Sequence, residues 1–163
     1  MSSSLPLVTS PSPLSETKRV TITQALNAAL VDGLDLQSQI KLAHWNIKGP
    51  HFAALHPLFD SFADTLAEHN AELAERRVTL GARAVGTARQ VAAGSRLPEY
   101  PHQTTRDLDH VRLLAERFAV YLHGLRAART VAADAADDDS EDLLTGIVRA
   151  TEKQAWLLLA TLE

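Results

Sequence analysis

Cysteine is absent from this chain, which excludes both disulfide staples and thiolate metal sites. Aromatic residues are scarce as well, with two tryptophans, two tyrosines and four phenylalanines in 163 residues, so a core must rest largely on leucine, isoleucine, valine and alanine. No stretch approaches the ~20 apolar residues that a membrane span requires. The first twenty residues, MSSSLPLVTSPSPLSETKRV, hold three prolines and many serines but no apolar run of signal-peptide length, and the expected location is therefore the cytoplasm. Positive charge is thin at both ends. Lys18 and Arg19 are the only basic residues of the opening segment, and the sequence closes at Glu163 without a basic extension. With 16 basic against 20 acidic residues the net charge is −4. Non-specific affinity for DNA grows with the number of phosphates neutralised, so DNA binding is expected to be weak or absent at physiological salt.

Present instead is a hydrophobic content of 45%, enough to build one helical core in a chain of single-domain length. Residues 1–20 read as a flexible N-terminal tail and residues 21–163 as one domain. Within that domain four long helical patterns are separated by breakers. The first runs from about Ile22 to Ile47 and stops at Lys48-Gly49-Pro50. The second begins near Ala53, with Pro57 tolerable in a first turn, and carries Phe59, Phe62, Leu66, Leu73 and Leu80 as a core stripe. The segment from Gly81 to Gly94 allows only a short helix, and Leu97-Pro98-Glu99-Tyr100-Pro101 marks a turn. In the third, Leu108, Val111, Ala115, Phe118, Leu122 and Leu125 recur at steps of three and four. The fourth runs from about Ser140 to Leu162, with Leu143, Leu144, Ile147, Leu157 and Leu158 available for burial. No strand alternation competes, so the expected fold is all-α: a four-helix bundle with a short extra helix in its middle connection.

Chemistry concentrates between His44 and Arg76, HWNIKGPHFAALHPLFDSFADTLAEHNAELAER. His56 and Asp60 sit four residues apart and project from one helical face, one turn apart. Glu75 returns to within roughly 60° of that direction at about 100° per residue. It shares the face but not the height, because at ~1.5 Å rise per residue His56 and Glu75 are about 28 Å apart along a straight helix. Ligand bonds to iron, zinc or manganese are roughly 2 Å long. These residues meet at one ion only if a second copy of the helix runs antiparallel across a two-fold axis, which creates two equivalent sites. Imidazole and carboxylate ligands without sulfur suit iron, zinc or manganese, and iron is the favoured choice. The bland alternative is that all three are surface polar residues of an amphipathic helix.

The same block resembles the DNA-binding proteins from starved cells, the Dps proteins or miniferritins. The resemblance rests on His44-Trp45-Asn46 followed by Lys48-Gly49, on Phe52, His56 and Asp60 at the family spacing, on Ala74-Glu75-Arg76, and on Lys153-x-x-Trp156. It extends over nearly everything from about residue 20 onward. It implies a ferritin-like bundle assembled as a hollow dodecameric shell from two-fold dimers. It also implies an intersubunit ferroxidase site with His44, His56, Asp60 and Glu75 as catalytic metal ligands. There Fe(II) would be oxidised by hydrogen peroxide or dioxygen and stored as ferric mineral. One position departs from the pattern, since the family places an aspartate four residues before the final glutamate and this chain has Ala71. Glu68, Glu72 or water could substitute, zinc could occupy the same site, and the alternatives to iron storage are a metal-binding or scaffolding shell with an impaired site, or a DNA-protecting Dps.

Secondary readings attach to the remaining polar residues. Asp138 and Asp142 match acidic residues that line an ion-entry pore in the family; alternatively the acidic run from Asp134 to Asp142 is a solvated helix start facing the positive end of the helix dipole. Trp45 and Trp156 read as apolar filling of the bundle or its interface, and the resemblance adds a role as electron donors near the oxidation site. The one approach to an internal Glu-x-x-His ligand pair is Asp107-x-x-His110. His110 is expected at a helix surface, and His51, His69, His102 and His123 in surface or capping roles.

Overall fold

The computed structural model describes residues 7–163. It contains α1 (Glu16–Asn46), α2 (Phe52–Thr79), α3 (Ala88–Gly94), α4 (Asp107–Asp134) and α5 (Asp138–Ala160). α1 packs against α2 and α4, and α5 packs mainly against α4. The four long helices form the bundle, and α3 rides on α1 within the long crossover between α2 and α4. Among the described residues the only bridge outside helices joins Lys48 to Arg106. The fold is the expected all-α, ferritin-like arrangement with a short helix in the middle connection.

The core follows the apolar stripes of the sequence. Phe59, Phe62, Leu66, Leu73 and Leu80 of the second pattern are all buried, as are Val111, Phe118, Leu122 and Leu125 of the third. Phe62 and Phe118 meet edge to face with ring centroids 5.8 Å apart, the arrangement that the ring quadrupoles favour. In α5, Leu144, Ile147 and Leu158 are buried, whereas Leu143 and Leu157 are half-buried at the edge of the core.

Two helix starts differ from the sequence reading. α1 begins at Glu16 rather than near Ile22, because the Ser15 side chain accepts from the Lys18 amide. Capping, not hydrophobic spacing, sets that end. The preceding segment lies along the end of α2, whose last carbonyls lack helical partners. Val8 donates its amide to Gly81 (2.8 Å), the Ser10 hydroxyl donates to the Thr79 carbonyl (2.7 Å), and Arg19 donates to the Leu80 carbonyl (3.0 Å). The remainder of the expected tail, residues 1–6, falls outside the described residues. In α2, Pro57 sits inside the helix and beyond its first turn. Its ring withholds a donor from the Ala53 carbonyl, and Ala53 is exposed, so water can serve that oxygen.

The crossover is held by a buried charge. Asp32, in the middle of α1 and without solvent exposure, accepts from the Arg96 amide (2.9 Å) and Nε (2.8 Å) and pairs with Nη2 (2.7 Å). Gly124 on α4 leaves room for that guanidinium. The connection between α1 and α2 is tied to the start of α4, where Lys48 donates to Thr105 (2.7 Å) and Asp107 donates to Lys48 (2.9 Å). Gly49 has φ +145°, and a Cβ there would strike the Asp107 carboxylate, so glycine is required on both counts.

Removing the half-exposed Arg96 side chain leaves the buried Asp32 carboxylate without its counter-ion. Arg96→Met is expected to cost about 3 kcal/mol of folding stability, read as a lowered urea midpoint. Asp32→Asn combined with Arg96→Met should recover part of that loss.

Candidate metal centre

The end of α1 and the start of α2 bring His44, His56 and Asp60 side by side. The two imidazole rings lie 3.8 Å apart between centroids, and Phe52 packs on His56 at 4.9 Å. His44 Nδ1 is 2.8 Å from the His56 carbonyl oxygen. That oxygen only accepts, so Nδ1 carries the proton and donates. In the neutral ring that leaves the lone pair on His44 Nε2, which lies 3.9 Å from Asp60 Oδ1. A hydrogen bond on one ring nitrogen that frees the other is the arrangement a metal-ligating histidine uses.

Lys41 completes this group, and the sequence reading passed over it. Its ammonium stands 2.5 Å from Asp60 Oδ1. The hydrogen bond from Lys41 is the main cause holding the Asp60 carboxyl below its ordinary value, helped by the Lys41 charge and by His44 and His56. A signal for Lys41 was available, because it lies three residues before His44 and so shares its helical face. The ammonium takes up the carboxylate that a metal cation would share.

Glu75 does not reach this cluster. It is exposed towards the far end of α2, and Ala71, one turn earlier, is exposed too, as are Glu68 and Glu72. Among the described residues no three His, Cys, Asp or Glu side chains converge as a metal cage. One chain therefore presents His44, His56 and Asp60 near the start of α2 and Glu75 alone near its end. The Glu75 end is fixed from behind, since Arg76 binds Asp137 (2.6 Å) and Ser140 (2.8 Å) at the start of α5.

Asp137 itself is buried and caps α5 by accepting from Ser140. Its acidic neighbours Asp134, Asp138 and Asp142 are exposed. An aspartate ahead of a helical pattern is a capping signal, but a run of acids hides which member caps. Trp45 and Trp156 are 69% and 61% exposed, so neither fills the bundle of its own chain. Both rings are left for contacts outside it, and Phe52, which packs on His56, is exposed as well.

His110 differs most from expectation. It is buried, not at a helix surface, and its Nδ1 lies 2.7 Å from the Tyr100 hydroxyl. The turn at Pro98–Pro101 brings that tyrosine inward, a tertiary contact without a local signal. Asp107 turns the other way, accepting from the His51 amide (2.8 Å) and pairing with its Nδ1 (2.9 Å). The Asp107-x-x-His110 spacing thus joins two separate contacts, and His51 stands at the N-cap of α2. His102 and His123 are exposed, and His69 is half-buried.

Among the described residues, five helices in this order, with a histidine–carboxylate cluster at the first helix–helix connection, define a ferritin-like bundle. The family model described as Ferritin, the ferritin-like domain, matches residues 23–163. The DNA protection during starvation protein of Agrobacterium fabrum is 36% identical over 140 residues, covering 86% of this chain and 86% of that protein. DpsC from Streptomyces coelicolor superposes with a TM-score of 0.92 at 31% identity, over 96% of this chain and 92% of that one. The DPS protein from Vibrio cholerae O1, described as a member of a broad superfamily of ferritin-like diiron-carboxylate proteins, gives 0.88 at 26% identity, over 96% and 99%. Within the ferritin-like class, the chain belongs to the Dps family. No helix among the described residues is long and apolar enough to cross a membrane.

Two outcomes follow from the geometry. Lys41→Ala frees Asp60 and is expected to tighten binding of Co(II), a spectroscopic metal probe, by about tenfold, the worth of one charge-assisted hydrogen bond. Titration of the visible absorbance measures it. Burial holds the His110 ring below the ordinary histidine value, opposed by the Asp109 carboxylate. The unfolded chain then binds the proton more readily, so this contribution is complete above the ordinary value and is lost as pH falls through the lowered one. Stability of the protein should decline below pH ~6.5, and the decline should be flatter in His110→Gln.

Proposed function

We propose that this protein is an iron-storage and detoxification miniferritin, oxidising Fe(II) with hydrogen peroxide or dioxygen at sites shared by two copies of the chain. Ferric mineral would then collect inside a dodecameric shell. The observation that carries this reading is the divided ligand set, with His44, His56 and Asp60 at one end of α2 and Glu75 at the other.

A groove of about 470 Å³ supports the pairing, because Ala67, Ala71 and Ala74 of α2 line it together with Leu30 and Leu34 of α1. A second groove that shares Ala74 and Ala84 with it reaches Glu75, and together they offer small side chains where exposed Trp45 or Phe52 of a second copy would settle. Ala71 fits that groove as a packing residue, which gives the missing carboxylate a structural counterpart.

Fe(II) is the substrate in this reading. His44 Nε2, His56 and Asp60 would bind it, with Glu75 of the second copy closing the site. Two ferrous ions lose one electron each, and one peroxide with two protons takes both electrons to give two waters. Peroxide is consumed without release of radicals, so the same chemistry protects. Asp138 and Asp142 would draw cations towards the shell through their negative potential. Trp45, next in sequence to His44, and Trp156 are the proposed electron donors. DNA binding is not part of the proposal, given the net charge of −4.

A second reading, a metal-binding or scaffolding shell with an impaired oxidation site, draws on Ala71 and on the Lys41–Asp60 pair. The deciding experiment is Fe(II) oxidation by stoichiometric peroxide, followed by absorbance. The double variant His44→Ala, His56→Ala is expected to be slower by about tenfold or more. Equal, slow rates in both proteins would remove the ferroxidase reading and leave the shell. Zinc is the metal to try as an inhibitor, since it prefers the same nitrogen and oxygen ligands.

A further inference from the structure

The chain has two tyrosines, both buried, and they differ in what their hydroxyls meet. The Tyr121 hydroxyl has no hydrogen-bond partner among the described residues. Burial, reinforced by the Asp32 carboxylate, holds its proton in place. The Tyr100 hydroxyl lies 2.7 Å from His110 Nδ1, with the two rings within 11° of parallel. Tyr100 is only 2% exposed, and a buried donor needs an acceptor. It therefore donates to Nδ1, and the proton of the neutral imidazole sits on Nε2.

Such a pair is suited to giving up an electron and a proton together. Burial pushes the Tyr100 phenol well above its ordinary value, against the opposing Arg117 charge, so the proton does not leave by itself. Burial also keeps His110 neutral and able to accept, while the Asp109 carboxylate, the Thr104 carbonyl and Asp107 favour the protonated ring once it forms. Arg117 steadies the arrangement, donating to the Glu99 carbonyl (3.1 Å) with its guanidinium 5.6 Å from the centre of the Tyr100 ring. The segment that carries Tyr100 touches the end of α1 on both sides of His44 in sequence. Gln39 Nε2 donates to the Pro98 carbonyl (3.1 Å), and the Lys48 amide donates to Thr105 (2.7 Å). Tyr100 thus lies at the same end of the bundle as the histidines and, unlike Trp45 and Trp156, is shielded from solvent.

We propose that Tyr100, with His110 as its proton acceptor, is an internal one-electron donor to the peroxide reaction. The inference rests on the ferroxidase reading above. Peroxide with two protons needs two electrons to give two waters. With Ala71 in place of a carboxylate and Lys41 on Asp60, a single Fe(II) at the site supplies one electron. Tyr100 supplies the other, and its phenolic proton passes to His110 Nδ1. The products are Fe(III), two waters, a neutral tyrosyl radical and an imidazolium. A second Fe(II) then returns an electron to the ring, His110 returns the proton, and the sum is the two-iron reaction. Between the two steps the oxidising equivalent is held in the core and not in solution.

Freeze-quenched electron paramagnetic resonance tests this on the full-length protein mixed with equimolar Fe(II) and peroxide, with iron oxidation followed by absorbance in the same samples. A tyrosyl signal is expected in the parent and in Tyr121→Phe. It should be lost in Tyr100→Phe and strongly reduced in His110→Gln, which keeps the phenol but removes the base. A second arm needs no iron: a flash-generated ruthenium(III) polypyridyl complex oxidises the protein in ordinary and in heavy water. There the signal that depends on Tyr100 should form more slowly in heavy water, because a proton moves with the electron, an effect a merely structural pair does not give. Oxidised iron without a tyrosyl signal in the parent, or a signal that survives in Tyr100→Phe, overturns the proposal. Should iron not be oxidised at all, the ferroxidase reading falls and the flash arm decides on the pair: absence of a Tyr100-dependent signal overturns it as a donor.

Discussion

The length of α2 is the constraint on which the functional reading depends. A straight helix at ~1.5 Å per residue keeps His56 and Glu75 about 28 Å apart, and no side chain spans that gap. Each end is instead anchored to a different neighbour. The near end meets α1, where the short connection through Lys48 and Gly49 sets His44 against His56. The far end meets α5, where Arg76 holds Asp137. A rod fixed in this way cannot fold back on itself, so the proposed sharing of one ion by its two ends would need a second molecule.

Buried carboxylates fix the junctions that an apolar core leaves loosely specified. Leucine-rich helix faces pack in several registers at similar energy, whereas a buried charge tolerates few positions. Asp32 locates the crossover through Arg96, Asp107 locates the start of α2 through His51, and Asp137 ties α2 to α5 through Arg76. Replacing such a pair by apolar residues is often neutral in free energy. Their effect in this chain is geometric: they set where α3 lies, where the histidines face and where the acidic helix start emerges.

Much of this architecture was legible in the sequence. Periodicity located the four long helices, because Phe59 to Leu80 and Leu108 to Leu125 each lie on one face of a helix that must bury it. Glycine and proline located the breaks. Polar capping was less visible, so the start of α1 at Glu16 required Ser15 rather than an apolar residue. Tertiary partners were not legible. Nothing local to His110 signals that Tyr100 will fold inward to meet it, and nothing near Trp45 distinguishes a core ring from one 69% exposed. Of the site, helical spacing placed His56 and Asp60 together and set Glu75 apart. His44 came only from resemblance, and Lys41 was overlooked although it shares a face with His44.

Lys41 changes what the divided site asks of a cation. Near Asp60 the ammonium already satisfies the carboxylate, so a metal arriving there must displace a charge-assisted hydrogen bond. On the opposite side of the proposed pairing, Ala71 offers no charge and Glu75 stands alone. Such a site holds less negative charge than a carboxylate-rich one, and more of its selectivity falls on the two imidazoles. Nitrogen ligands favour zinc over ferrous iron in raw affinity. In the proposed reaction turnover would still favour iron, because a weakly held Fe(II) that is oxidised and moved on as mineral would leave the ligands free, whereas a redox-inert ion would stay. Weak binding and throughput would then be compatible, with Lys41 balancing the charge of Asp60 whenever no cation is bound.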